Sequence, residues 1–199
     1  MTRLTRRTGM RRLAALAFLP LAACIDEPGD GADDGEPDDE NGDPAASLTT
    51  DVHHVDAWSV GLDWDYRERP GVCLLIEDPD DAVPLLEDVG EGTEAFVRET
   101  DFSESALLYV ESIGPDACHD RLAFEEFSLE KGTVVGEAAV VGTADDDEVC
   151  STVLTYPRAF VRVTADPLPA AAEITLTDGN GEQGTVRSDD DAVEPDPAD

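Results

Sequence analysis

Side chains able to build a hydrophobic core are confined to one stretch of this chain, which limits how many folded units it can contain. Ten of the eleven aromatic residues lie between Trp58 and Phe160, interleaved with Val, Leu and Ile. The flanking segments are rich in Asp, Glu, Gly and Pro and have almost nothing to bury. A length of 199 residues allows one ordinary domain or two very small ones, and only one core is on offer. The expected organisation is an export signal at 1–23, a disordered acidic tether at 24–49, a single β-rich domain at 50–187 and a disordered acidic tail at 188–199.

Charge narrows the function. The chain has 13 Lys plus Arg against 47 Asp plus Glu, a net charge of −34. Five of the bases (Arg3, Arg6, Arg7, Arg11 and Arg12) precede residue 13, so the chain without residues 1–23 would carry 8 bases against 47 acids, a net of −39. A polyphosphate needs cationic partners, so nucleic-acid binding is excluded from the expected functions. An anionic membrane would repel this surface unless a lipid held it there. Lys131 stands alone beside twelve Arg. A Lys-poor acidic surface around an ordinary core resembles proteins of extreme halophiles, in particular haloarchaea. Concentrated salt would relieve its self-repulsion, because the Debye length falls to about 3 Å at 1 M.

The first 24 residues have the layout of an export signal. A basic stretch is followed by the apolar run 13–23, whose eleven residues are too few to span a bilayer as a helix, which takes about 20. The run ends in Leu21-Ala22-Ala23-Cys24, which resembles a lipobox and implies that Cys24 is lipidated. The alternative is cleavage after Ala23 that leaves Cys24 as a free thiol. Arg6 and Arg7, in Thr5-Arg6-Arg7, resemble a twin-arginine export motif, although Gly9 stands where an aromatic is preferred. The Sec route is the alternative.

Between the tails, β-branched and alternating runs predict strands at 55–62, 72–77, 105–111, 122–129, 134–141, 159–165 and 173–177, with a short one at 184–186. Lys131-Gly132 sits at hairpin spacing, and Asp178-Gly179-Asn180-Gly181 is a stronger turn signal. One helix is expected at 93–100, capped by Thr93 with Phe96 and Val97 inward, and a helical turn at 83–89. The fold class is therefore mainly β, with α+β character at the margins. A small β-sandwich or partly open barrel of seven or eight strands, with one or two short helices, fits best.

Cysteines provide the sharpest candidates for chemistry. In an exported chain a disulfide is the default. Cys118, in the loop Gly114-Pro115-Asp116-Ala117-Cys118-His119, and Cys150, after the acidic run Asp145-Asp146-Asp147-Glu148, both lie at strand ends and are expected to pair. Cys73, within an apolar run, is expected to be a buried thiol. The alternative is a metal or thiol redox site built from Cys118, His119 and Cys150, completed by His53 or His54, since thiolate and imidazole suit zinc or copper. The pair His53-His54 otherwise reads as an exposed loop before the first strand. The run at 145–148 lacks the spacing and turn glycine of a calcium loop, and reads as solvated charge. His119 with Asp116 or Asp120 is a pairing of sequence neighbours, not a triad, and there is no G-x-S-x-G elbow. No catalytic residue and no cofactor is expected.

The segment Thr100-Asp101-Phe102-Ser103-Glu104-Ser105, continuing to Val110 and then Gly114, followed by Tyr156-Pro157 before a late strand, resembles the C-terminal domain of PrcB-type protease-complex lipoproteins. The similarity covers residues 100–177 and implies a small β-rich fold. Cys118 and Cys150 are not part of that pattern. The whole chain resembles haloarchaeal exported lipoproteins of the same layout. Together these readings predict a lipid-anchored module on the extracellular face of the membrane. It would be non-enzymatic, serving as a binding or accessory partner for other cell-surface proteins.

Overall fold

The computed structural model describes residues 47–55, 62–144 and 149–190. The expected signal with Arg6, Arg7 and Cys24, most of the tether, the acidic run at 145–148 and the end of the tail lie outside the described residues. Among the described residues no helix is long and apolar enough to cross a membrane.

Eight strands form two four-stranded sheets. In chain order they are β1 Leu48–His54, β2 Gly71–Ile76, β3 Ser105–Ser112, β4 Arg121–Glu130, β5 Thr133–Val141, β6 Arg158–Ala165, β7 Ala171–Thr177 and β8 Gln183–Arg187. One sheet has the order β1-β6-β3-β2 and the other β4-β5-β7-β8. The sheets do not close into a barrel, so of the two expected architectures the sandwich is the one formed. A 3₁₀ helix, Pro79–Leu86, and one α-helix, α1 at Glu91–Arg98, connect β2 to β3.

Alternation along β3 explains the layering. Leu108 and Val110 point into the space between the sheets, where they meet Leu122, Val134, Val161, Ile174 and Leu176. Leu107 and Tyr109 point the other way, into a second apolar cluster with Phe160, Val97, Leu85 and Trp64. All eight residues of β3 are buried, because the two helices and the segment around Trp64 cover the outer face of its sheet. The molecule is thus three layers deep on one side, which is why β3 reads as a nearly continuous apolar run.

The turn chemistry follows the sequence. Lys131 and Gly132 both have positive φ, 53° and 85°, the conformation a two-residue hairpin needs to match strand twist, and Glu130 pairs with Thr133 across it. At the other hairpin the Asp178 carboxylate accepts from the backbone N–H of Asn180 at 2.8 Å and of Glu182 at 2.9 Å, and Gly181 takes φ +86°.

Several expectations need correction. The first strand lies at Leu48–His54, so His53 and His54 are strand residues and not a loop before one; residues 56–61 of the expected strand fall outside the described set. That strand pairs with β6 from Leu48 to His54; its β-branched Thr49, Thr50 and Val52 suit a strand, but its mostly exposed side chains give no apolar alternation to mark it. Helix α1 starts at Glu91, with Gly90 as its N-cap and no side-chain cap. Thr93 lies inside the helix, buried, and its hydroxyl meets Nε2 of His53 at 3.1 Å. A feature beyond these expectations is the parallel pairing of β5 with β7, which is possible because the chain leaves for β6 in the opposite sheet before returning.

Phe160 is fully buried on the outer face of β6 against Tyr109, ring centroids 5.2 Å apart. Replacing it by Ala should destabilise the domain by about 3–5 kcal/mol, read as a lower denaturant midpoint at fixed high salt.

Candidate functional site

Two connections carry the chain between the sheets at the same end of the sandwich: residues 113–120 from β3 to β4, and residues 142–157 from β5 to β6. They are laced together by backbone bonds. Gly114 and Thr155 exchange two, at 2.9 and 3.1 Å, and the Ala117 N–H donates to the Ser151 carbonyl at 3.0 Å. The close approach requires glycine, because a Cβ on Gly114 would lie 2.1 Å from the His119 carbonyl oxygen. Cys118 and Cys150 close this arrangement as the expected disulfide, with Cα atoms 5.5 Å apart.

Asp116 is the hub of the first connection. Its Oδ1 accepts from the Cys118 N–H at 3.0 Å and faces His119 Nδ1 at 2.7 Å. The bond from His119 is the main reason its carboxyl sits below the ordinary value of 3.8, helped by the Cys118 N–H and opposed by partial desolvation. This carboxylate therefore stays ionised through the neutral range. A carboxylate oxygen of Asp116 and the sulfurs of Cys118 and Cys150 all lie within 4.8 Å of one another. Among the described residues this is the one group of three potential metal ligands. It differs from the expected set of Cys118, His119 and Cys150: Asp116 supplies the third atom, and His119 holds Asp116. His53 does not complete it, being bonded to Thr93 and stacked on Phe96 at 5.0 Å, and His54 is not part of the group either.

With the sulfurs bonded at 2.00 Å, neither is a thiolate, and the group cannot ligate as it stands. Two electrons and two protons would release both thiols. Cys73 is buried away from solvent as expected, and burial pushes its thiol far above the ordinary value.

A second polar constellation was not anticipated from the sequence. Glu111, fully buried on the outer face of β3, accepts from Trp64 Nε1 at 2.9 Å, from the Leu62 N–H at 3.2 Å and from the Tyr109 hydroxyl in a very short bond. Arg158, its neighbour across the sheet, is also buried and interacts with both Glu111 and Tyr109. The signal was present as an acid at the end of Leu107-Leu108-Tyr109-Val110-Glu111. What the sequence lacked was the partner, since Trp64 and Arg158 lie 47 residues away on either side. Burial raises the Glu111 carboxyl above 4.5, and its hydrogen bonds and Arg158 only partly offset that.

The constellation pins the Leu62–Trp64 segment to the sheet, and its chemistry is structural. Breaking it with Glu111→Gln should cost about 1–3 kcal/mol, because an amide N–H₂ now faces a donor and leaves a buried polar group unsatisfied. The pH dependence has a definite sign. A buried acid with a raised value holds its proton more tightly folded than unfolded, so its contribution grows as pH falls from the raised value towards 4.5. The stability gap between the native chain and Glu111→Gln should therefore widen on acidification across that window, in chemical denaturation at constant salt.

Compared with protein-family models, with curated proteins and with solved structures, the chain matches none.

Proposed function

We propose that the chain is an exported, lipid-tethered module whose chemistry resides in Asp116, Cys118 and Cys150. In this reading the pair is a disulfide in oxidising surroundings and a binding site for a borderline or soft divalent cation when reduced. One observation carries it, the convergence of a carboxylate oxygen and two sulfurs within 4.8 Å. Among divalent cations thiolate ligands favour zinc over calcium or magnesium, and a carboxylate already ionised completes a three-ligand set. His119, bonded to Asp116 through Nδ1, orients that carboxylate as outer partners of metal ligands commonly do. Reduction by a dithiol would supply two electrons and two protons to the bond, and the divalent cation would then displace the two thiol protons.

Placement on the outer face of the membrane rests on the export layout and on Cys24, and an oxidising exterior fits a closed disulfide. A non-enzymatic role as an accessory module for other cell-surface proteins is the second reading. It is favoured by Val149, Val153 and Leu154, which are exposed in the connection that carries Cys150.

Zinc titration of the full chain in molar salt, with and without a phosphine reductant, tests the first reading. The reduced chain should bind one zinc and the oxidised chain none. Asp116→Asn should weaken binding at least tenfold, and His119→Ala about tenfold. Equal zinc binding by the oxidised chain, or by a reduced Cys118→Ser/Cys150→Ser variant, would show that the acidic surface alone is responsible. The double serine variant should also lose about 3–4 kcal/mol of stability under oxidising conditions, as expected for opening a loop with a sequence separation of 32.

A further inference from the structure

An open cleft of about 550 Å³ lies where β1, β3 and β6 come together near the point at which the chain enters the domain. Among the described residues it is lined by Ser47, Thr49, Ser103, Glu104, Thr164 and Asp166, with Ala165 and Leu168. Its volume lies in the range of small-molecule sites, roughly 300–1,000 Å³. Its floor has an ordered pattern. Thr49 pairs with Thr164 in the β1–β6 register, and Thr164 with Ser105 in the β3–β6 register, so three hydroxyl residues cross the sheet in one row. Thr49 and Thr164 line the cleft, and Ser105 lies buried beside them, its Oγ hydrogen-bonded to Thr164 Oγ1 at 2.7 Å.

The lining selects among ligand classes. No Lys, Arg or His is present, and Glu104 and Asp166 are both acidic, so an anion is repelled. A hard cation needs several converging carboxylates, and the acids here do not belong to any group of three potential ligands among the described residues. An organic cation would meet carboxylates anywhere on a surface of net charge −34, and nothing would distinguish this place. The four hydroxyl side chains of the lining, on Ser47, Thr49, Ser103 and Thr164, do distinguish it. Hydroxyls both donate and accept, ionised carboxylates accept strong bonds from neighbouring O–H groups, and Leu168, exposed at the rim, offers an apolar face for C–H groups. We propose that this cleft binds a neutral polyhydroxylated ligand, a sugar unit, independently of the disulfide end of the domain.

The probe is maltose, with glucose, methyl α-glucoside and spermidine for comparison, titrated into the full oxidised chain in molar salt by saturation-transfer NMR. Saturable maltose signals are expected, weakened at least tenfold in Thr49→Val and in Glu104→Gln. Both positions are exposed, and unchanged circular dichroism melting would show that the fold is intact. Equal binding of methyl α-glucoside and glucose would identify a unit within a glycan as the ligand type; a preference for glucose would identify the free sugar. The proposal is overturned if none of the sugars saturates, if both variants bind as the native chain does, or if spermidine competes for the same signals.

Discussion

Strand β3 is buried along its whole length, and most of the remaining structure follows from having to cover it. A sheet in a two-layer sandwich has one wet face. Here that face carries Leu107, Tyr109 and Glu111 and is roofed by a 3₁₀ helix, α1 and the segment around Trp64. Roofing an apolar face with helices is cheap, but roofing Glu111 is not. The carboxylate is tolerated because three donors and Arg158 converge on it, so the most costly group in the core also fixes the segment that covers it. Removing a charge partner there would leave the other ion buried, which is the expensive outcome.

Cations are scarce in this chain, and the two described on the outer face of β6 serve the fold. Arg158 sits with Glu111 and Tyr109. Arg162 lies over the Phe96 ring at 4.3 Å, donates to the Phe96 carbonyl at 2.9 Å and to the Thr100 hydroxyl at 3.1 Å, and faces Asp51 at 3.5 Å. It thereby holds the C-terminal turn of α1 to the sheet, where a positive charge also suits the helix dipole. Acids, in contrast, mostly face solvent, where salt screens them. The disulfide end is organised differently, by backbone bonds between two crossing connections with a covalent staple. Its stability and its proposed chemistry are linked, since the electrons that would free the ligands would also release the staple.

Fold class was legible because periodicity is a local property. Seven of the eight strands appear close to where alternation and β-branched runs place them, and both hairpin turns follow from Lys131-Gly132 and Asp178-Gly179-Asn180-Gly181. The Cys118–Cys150 pair was legible from the position of both cysteines in connections between strands. Strand β1 was not, since Leu48-Thr49-Thr50-Asp51 has no strong signal of its own and is held by the β6 backbone. Ser and Thr favour the N-cap position, but the Thr93 hydroxyl lies inside α1 and meets His53 on β1.

By itself the sequence determined that the side chains able to build a core lie in one stretch, and that this stretch would be built of strands. These follow from composition and from neighbours within a few residues. Only the tertiary structure decided which side chains meet: Asp116 beside both sulfurs, Glu111 beneath Trp64, and Thr49, Thr164 and Ser105 in one row. Each of these needs a strand order and a register, and those are set by how two sheets and a helical roof share the available apolar surface. No local pattern in the chain records that choice.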